Sequence, residues 1–138
     1  MPKKRFELIE HTADIGLMAY GETLAEAFAS AAFGMFSIIA GLDTVRETET
    51  RRIEVIEEDL EGLLFEWLNR LLYIFDVEML LFRRFDIIEF EESRLLAVCR
   101  GERYDPSRHQ LKTGIKSATY HQMTVDREKH RLRIIFDV

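Results

Sequence analysis

Residues 60–75 constrain the fold most. Leu60, Leu63, Leu64, Trp67, Leu68, Leu71, Leu72 and Phe75 recur at helical spacing, and Asp59 before them can cap a helix start. The apolar face they form is wider than a surface helix needs, so this helix must lie deep under other elements. Trp67 reads as a core anchor rather than a stacking platform. A second stripe, Leu24, Ala27, Phe28, Ala31, Met35, Ile38 and Ile39, begins at Thr23 with Glu26 three residues on, the form of a capping box. Gly41 suits its end.

The rest of the chain alternates or turns. Phe6 to Ile9 and Ile15 to Tyr20 read as extended segments, with His11-Thr12-Ala13-Asp14 kinking the strand between them. Arg52 to Glu57 is a short strand. Leu81 to Phe90 and Arg94 to Glu102 form a hairpin around Glu91-Glu92-Ser93. Tyr104 to His109 is a loop, because Pro106 fits neither a helix interior nor a central strand. Strands at Ile115 to Val125 and Arg131 to Val138 close the chain.

This order predicts an α+β fold: a two-layer sandwich of two helices on a mixed or antiparallel sheet. Residues 52–102 repeat the strand-helix-strand-strand order that remains when they are removed. Residues 1–138 therefore read as a single domain with one such unit nested in another, which would bring Asp14 and Asp137 into neighbouring strands.

Composition narrows the function. The chain is 47% hydrophobic and 32% charged, as in a soluble globular protein. Its formal charge of −6 argues against stable direct nucleic-acid binding and suits docking on a basic partner. Arg83-Arg84, or Arg100, Arg103 and Arg108, could still form a local basic patch or simply solvate strand edges. No apolar run would span a membrane, and the basic start Met1-Pro2-Lys3-Lys4-Arg5 leads into no signal-peptide core, so a cytoplasmic location is expected. One cysteine, Cys99, sits in an apolar run and reads as a small buried hydrophobe. One cysteine and four scattered histidines give no zinc-ligand spacing, and seven dispersed glycines give no phosphate loop.

The unusual stretch is Gly114 to Val125. Strand alternation puts Ile115, Ser117, Thr119, His121, Met123 and Val125 on one side, apolar at both ends and polar in the middle. Lys116, Tyr120 and Gln122 face the other way. Asp137 ends a very apolar strand, and its carboxylate beside that of Val138 calls for a cation, a proton or a helix N-terminus. Asp14 could add a third oxygen to a calcium or magnesium site. Equally, Asp137 could be a solvated strand end and Asp14 a turn former bonded to local backbone. Lys116 could serve solubility and His121 a structural hydrogen bond. No nucleophile stands with His121 in a Ser-His-Asp or Cys-His pattern, so no reaction follows from the residues.

The chain resembles the archease family along essentially its whole length. The resemblance rests on His11-Thr12-Ala13-Asp14-Ile15-Gly16, Thr23-Leu24 with Ala27-Phe28, and Trp67-Leu68-Asn69 with Leu71-Leu72. It continues through Gly101-Glu102, Tyr104-Asp105-Pro106 with His109, Ile115-Lys116, Thr119-Tyr120-His121 and Phe136-Asp137-Val138.

That resemblance implies a protein cofactor rather than an enzyme. Its partner would be the RtcB-type tRNA-splicing ligase, whose guanylylation and multiple turnover it would promote. It implies an acidic tip that binds a divalent cation, calcium first and magnesium second, through Asp14, Asp137 and the carboxylate of Val138. Asp14, Lys116 and Asp137 would carry ligase activation, and His11, Thr12, Thr119 and His121 would support them. Two other readings stand beside it: a stand-alone metal-dependent hydrolase using the same acidic groups, and a small-molecule-sensing module.

Overall fold

The computed structural model describes residues 4–10 and 14–138. Strands β1 (Phe6–Glu10) and β2 (Asp14–Tyr20) precede helix α1 (Leu24–Ile39). A single 3-10 turn (Leu42–Thr44) leads to β3 (Glu49–Ile56), helix α2 (Leu60–Glu78) and the hairpin of β4 (Leu80–Glu91) and β5 (Arg94–Arg103). Strands β6 (Ser117–Asp126) and β7 (Arg131–Asp137) follow. The fold is α+β, as the patterning predicts.

The strands form two sheets, and every pairing within them is antiparallel. One sheet has the order β3-β5-β4 and comes from a contiguous stretch of chain. The other has the order β1-β2-β7-β6, assembled from strands before and after that stretch. The kink expected over His11-Thr12-Ala13-Asp14 lies, except for Asp14, outside the described residues; on either side of it β1 pairs antiparallel with β2 from Phe6↔Ala19 to Glu10↔Ile15.

Both helices pack between the sheets. α1 lies on β2 of one and β4 of the other, and α2 lies on β6 and on all three strands of the smaller sheet. This explains the wide face of α2, whose Leu60, Leu63, Leu64, Trp67, Leu68, Leu71 and Leu72 are all buried. Gly34 permits α1 to approach, because a Cβ there would come within 2.9 Å of Leu17 and 3.0 Å of Phe6. Trp67 is fully buried and its Nε1 donates to the Phe28 carbonyl at 3.0 Å, tying α2 to α1. Burial without that acceptor would orphan the indole N–H.

Both helix starts follow the expected chemistry. The Thr23 hydroxyl accepts from the Glu26 amide at 3.1 Å and the Asp59 carboxylate from the Gly62 amide at 2.7 Å. α2 stops at Met79, which takes the left-handed conformation with φ 57°. α1 ends differently from expectation. Gly41 has φ −74°, and Ala40 simply turns extended. The last carbonyls of α1 find partners elsewhere: Ile39 accepts from the Lys112 amide at 2.7 Å and Ile38 from that of Thr113 at 3.3 Å. Those bonds route the 104–116 loop along the end of α1 toward the start of β6.

Candidate functional site

Three strands of the four-stranded sheet meet at one end. β2 begins at Asp14, β7 ends at Asp137 and β6 begins at Ser117. Asp14 pairs with Asp137 across β2 and β7, and Asp137 pairs with Ser117 across β7 and β6. Residues directly opposite in an antiparallel pair point to one face, with Cβ atoms roughly 5 Å apart. Asp14, Asp137 and Ser117 thus form one lateral row. Leu17, Ala19, Leu132, Ile134 and Phe136 supply the helix-facing side of these strands, so the row lies on the face turned away from the helices. Beside it, Ile135 is 1% exposed and closes over Gly16, where a Cβ would meet Ile9 at 3.1 Å and Ile135 at 3.2 Å.

Lys116 is held to the same row through its backbone. Its amide donates to the Asp137 carbonyl at 2.8 Å, so Lys116 and Ser117 together stand against the single residue Asp137. Asp137, Val138 and Lys116 are exposed, and Asp14 is half-buried. The Thr119 hydroxyl donates to the Ile135 carbonyl at 3.1 Å and so braces β6 against β7.

The alternation expected for Ile115 to Val125 ends at Thr119. Thr119 pairs with Ile135 and the next registered pair is Thr124 with Arg133, five residues of advance on β6 against two on β7. Within that bulge Gln122 has φ 54° and accepts from Arg133 Nη2 at 3.2 Å. Met123, at the end of the bulge, and Val125, after it, pack against the core. His121 lies exposed inside the bulge, so regular alternation does not carry it onto the face of Ser117 and Thr119. His11 and Thr12 lie outside the described residues.

Two polar features near the tip went unassigned from sequence. Asn69, in the middle of α2, accepts from the Ala118 amide at 2.8 Å and donates to the Ala118 carbonyl at 3.3 Å. An asparagine in the interior of a helix was the available signal, since that residue is disfavoured there without a special partner. The second is a pin on the 104–116 loop. His109 is almost fully buried, its Nδ1 accepts from the Asp105 amide at 2.8 Å and its Nε2 lies 2.9 Å from Glu102 Oε1. Nδ1 as acceptor makes Nε2 the N–H that donates to Glu102. Burial raises the Glu102 pKa, but the Arg46 amide, the Arg108 guanidinium and His109 outweigh it and hold the carboxyl at about 2.

Other candidates resolve as structure. Arg84 and Arg100 both pair with Asp86, at 3.0 and 2.8 Å, Arg103 meets Glu78 and Arg108 meets Glu102. Those arginines are engaged in ion pairs with neighbouring carboxylates, and Arg83 Nη1 donates to the Val45 carbonyl at 2.9 Å. Cys99 is fully buried, and burial pushes its thiol up to about 12, which leaves it inert. A cavity of about 130 Å³ at the start of α1 is lined by Lys4, Arg5, Tyr20, Gly21, Glu22 and Glu26. It is smaller and more charged than a small-molecule pocket.

The acidic row offers hard oxygen donors, which suit calcium or magnesium better than zinc. Asp14 and Asp137 are the two side-chain donors, with a main-chain oxygen of Val138 next to them. Among the described residues no group of three or more His, Cys, Asp and Glu side chains could hold a metal ion. Any cation here would therefore draw on main-chain oxygen and water as well. No helix among the described residues is long and apolar enough to cross a membrane.

Comparison with known proteins places the chain in a family. Residues 6–138 match the Archease protein family. The chain is 44% identical over 127 residues to Protein archease of Pyrococcus abyssi, covering 90% of this chain and 89% of that one. It is 37% identical over 137 residues to Protein archease of Sulfolobus acidocaldarius, covering 97% and 99%. The solution structure of Methanobacterium thermoautotrophicum protein 1598 superposes with a TM-score of 0.78 at 32% identity, covering 97% and 99%. A crystal structure from Thermotoga maritima, described as an archease and possible chaperone, gives 0.65 at 24% identity, covering 100% and 98%, and bears on the fold alone. With the family matched over nearly its whole length, the chain belongs to the archease family.

Proposed function

We propose that this protein is an accessory factor that activates an RtcB-type tRNA-splicing ligase, promoting its guanylylation and its multiple turnover. The observation that carries the reading is the opposition of Asp14 and Asp137 at an open sheet end, with the Lys116 amide on the Asp137 carbonyl. Two carboxylates on one face, and a lysine one residue away, form a compact group of both signs.

The chemistry proceeds by contact rather than by turnover here. The carboxylates of Asp14 and Asp137 face outward and meet a cationic, metal-lined channel in the ligase, which the formal charge of −6 favours over long range. Lys116 contacts a nucleotide triphosphate or a ligase carboxylate, a charge-assisted bond. Thr119 keeps β6 against β7 while this happens. A divalent cation bound by Asp14, Asp137 and Val138 would screen the two carboxylates and offer open coordination to an anion.

The test is RNA ligation with the ligase limiting and RNA ends in excess. The protein is expected to convert a single round into many, and it should ligate nothing by itself. Turnover of a substrate by the protein alone would favour the hydrolase reading instead.

A further inference from the structure

We propose that Asn69 is a positioning residue, whose side-chain amide acts as a one-residue strand along the open edge of β6 and so holds Lys116 beside the Asp14–Asp137 pair. The inference rests on the reading of that pair and Lys116 as the working tip.

Among the described residues β6 is an edge strand, paired with β7 on one side only. Its regular pairing before the bulge covers just Ser117, Ala118 and Thr119. So short a ladder holds a strand start weakly, because few bonds oppose the freedom of the chain. On the free edge, the Ala118 amide and carbonyl both bond to the Asn69 side chain, at 2.8 and 3.3 Å. A primary amide is the only uncharged side-chain group that can donate and accept in this way from one planar end. It reproduces what a neighbouring strand would offer.

A second contact fixes the direction of β6 on α2. Tyr120 stacks on Phe65 with ring centroids 4.1 Å apart and planes within 7°. Tyr120 thus sits over Phe65 and Ala118 over Asn69, so two strand residues advance against four helix residues. The distances agree: two strand residues span about 6.6 Å and four helical residues about 6 Å. β6 is laid antiparallel along α2 in this register, and Lys116 lies two residues beyond Ala118 toward the tip. Lys116 is fixed on one side by its bond to Asp137 and, two residues away, by the Asn69 clamp. The buried helix built around Trp67 and Leu68 therefore sets where the lysine stands.

The test compares Asn69→Asp and Asn69→Ala with the unaltered full chain and with Lys116→Ala. Asn69→Asp keeps an acceptor for the Ala118 amide but turns an oxygen on the Ala118 carbonyl. Asn69→Ala removes both partners and admits water, since Asn69 is only half-buried. Ligase activation and amide exchange are read well below each thermal midpoint, where folding is complete. The expected result is exchange of the Lys116 amide roughly tenfold or more faster, unchanged exchange at Trp67 and Leu68, and lost maximal activation. A merely structural role would restore full activation once the protein is folded, and that outcome in either variant overturns the proposal. Unchanged Lys116 exchange in both also overturns it. If Lys116→Ala itself activates normally, the reading of the tip fails, which distinguishes that failure from this one.

Discussion

Asp14 and Asp137 face each other directly across β2 and β7, two like charges in a position where opposite charges stabilise a sheet. Asp137→Asn is therefore expected to raise stability by about 0.5 kcal/mol, a midpoint shift of about 2 °C for a chain of this size. It should nevertheless weaken ligase activation sharply. Thermal unfolding followed by circular dichroism checks the first half, and a midpoint lowered by several degrees would show that Asp137 serves the fold instead.

Divalent cations should relieve the same repulsion. Calcium at about 100 times its dissociation constant is expected to stabilise by about 2.7 kcal/mol, or on the order of 8 °C here. Magnesium should act more weakly and zinc should not be preferred. Asp14→Ala should lose most of the calcium shift in a scan of chelator-treated protein. An undiminished shift in that variant would remove Asp14 from the ligand set.

Lys116 separates folding from function. Lys116→Ala keeps the backbone bond to Asp137, and an exposed lysine side chain contributes on the order of 0.5 kcal/mol or less. The midpoint should stay within a few degrees while activation is lost. Normal activation by the folded variant would return Lys116 to a role in solubility.

The loop that leads to Lys116 should be acid-sensitive through Glu102. Its pKa is held at about 2 against an ordinary 4.5, so it contributes stability above about 4.5 that is lost as pH falls through that window. Glu102→Gln should flatten the stability profile between about pH 4.5 and 2 and lower stability at neutral pH. Equal acid slopes for the two proteins would mean that the ion pair with Arg108 does not differ between folded and unfolded chains.

Much of the scaffold was legible because local chemistry and tertiary packing agreed. Thr23 and Asp59 cap where their side chains allow, and the eight-residue stripe of α2 faces the core it implied. The hairpin at Glu92-Ser93 and the pairing of the strands that bear Asp14 and Asp137 also follow from pattern and order. The misreadings arise where distant residues overrule local rules. Strict alternation through β6 presumes uniform pairing, yet Arg133 on Gln122 and Phe65 under Tyr120 stabilise a bulge that no glycine marks. Gly41 looked like a left-handed terminator, but α1 ends on the 110–113 backbone, a partner seventy residues away in the chain. Asn69 carried no visible role because its partner is a main-chain group, which has no sequence signature.

The most direct test of the account is the first chemical step of the ligase, its own guanylylation at the active-site histidine. The measurement is the single-turnover rate of covalent GMP attachment to purified ligase, alone, with this protein, and with its Asp137→Asn variant. The account predicts a rate raised many-fold by the unaltered protein and left near the ligase-alone value by the variant. The same rate in all three reactions would contradict it.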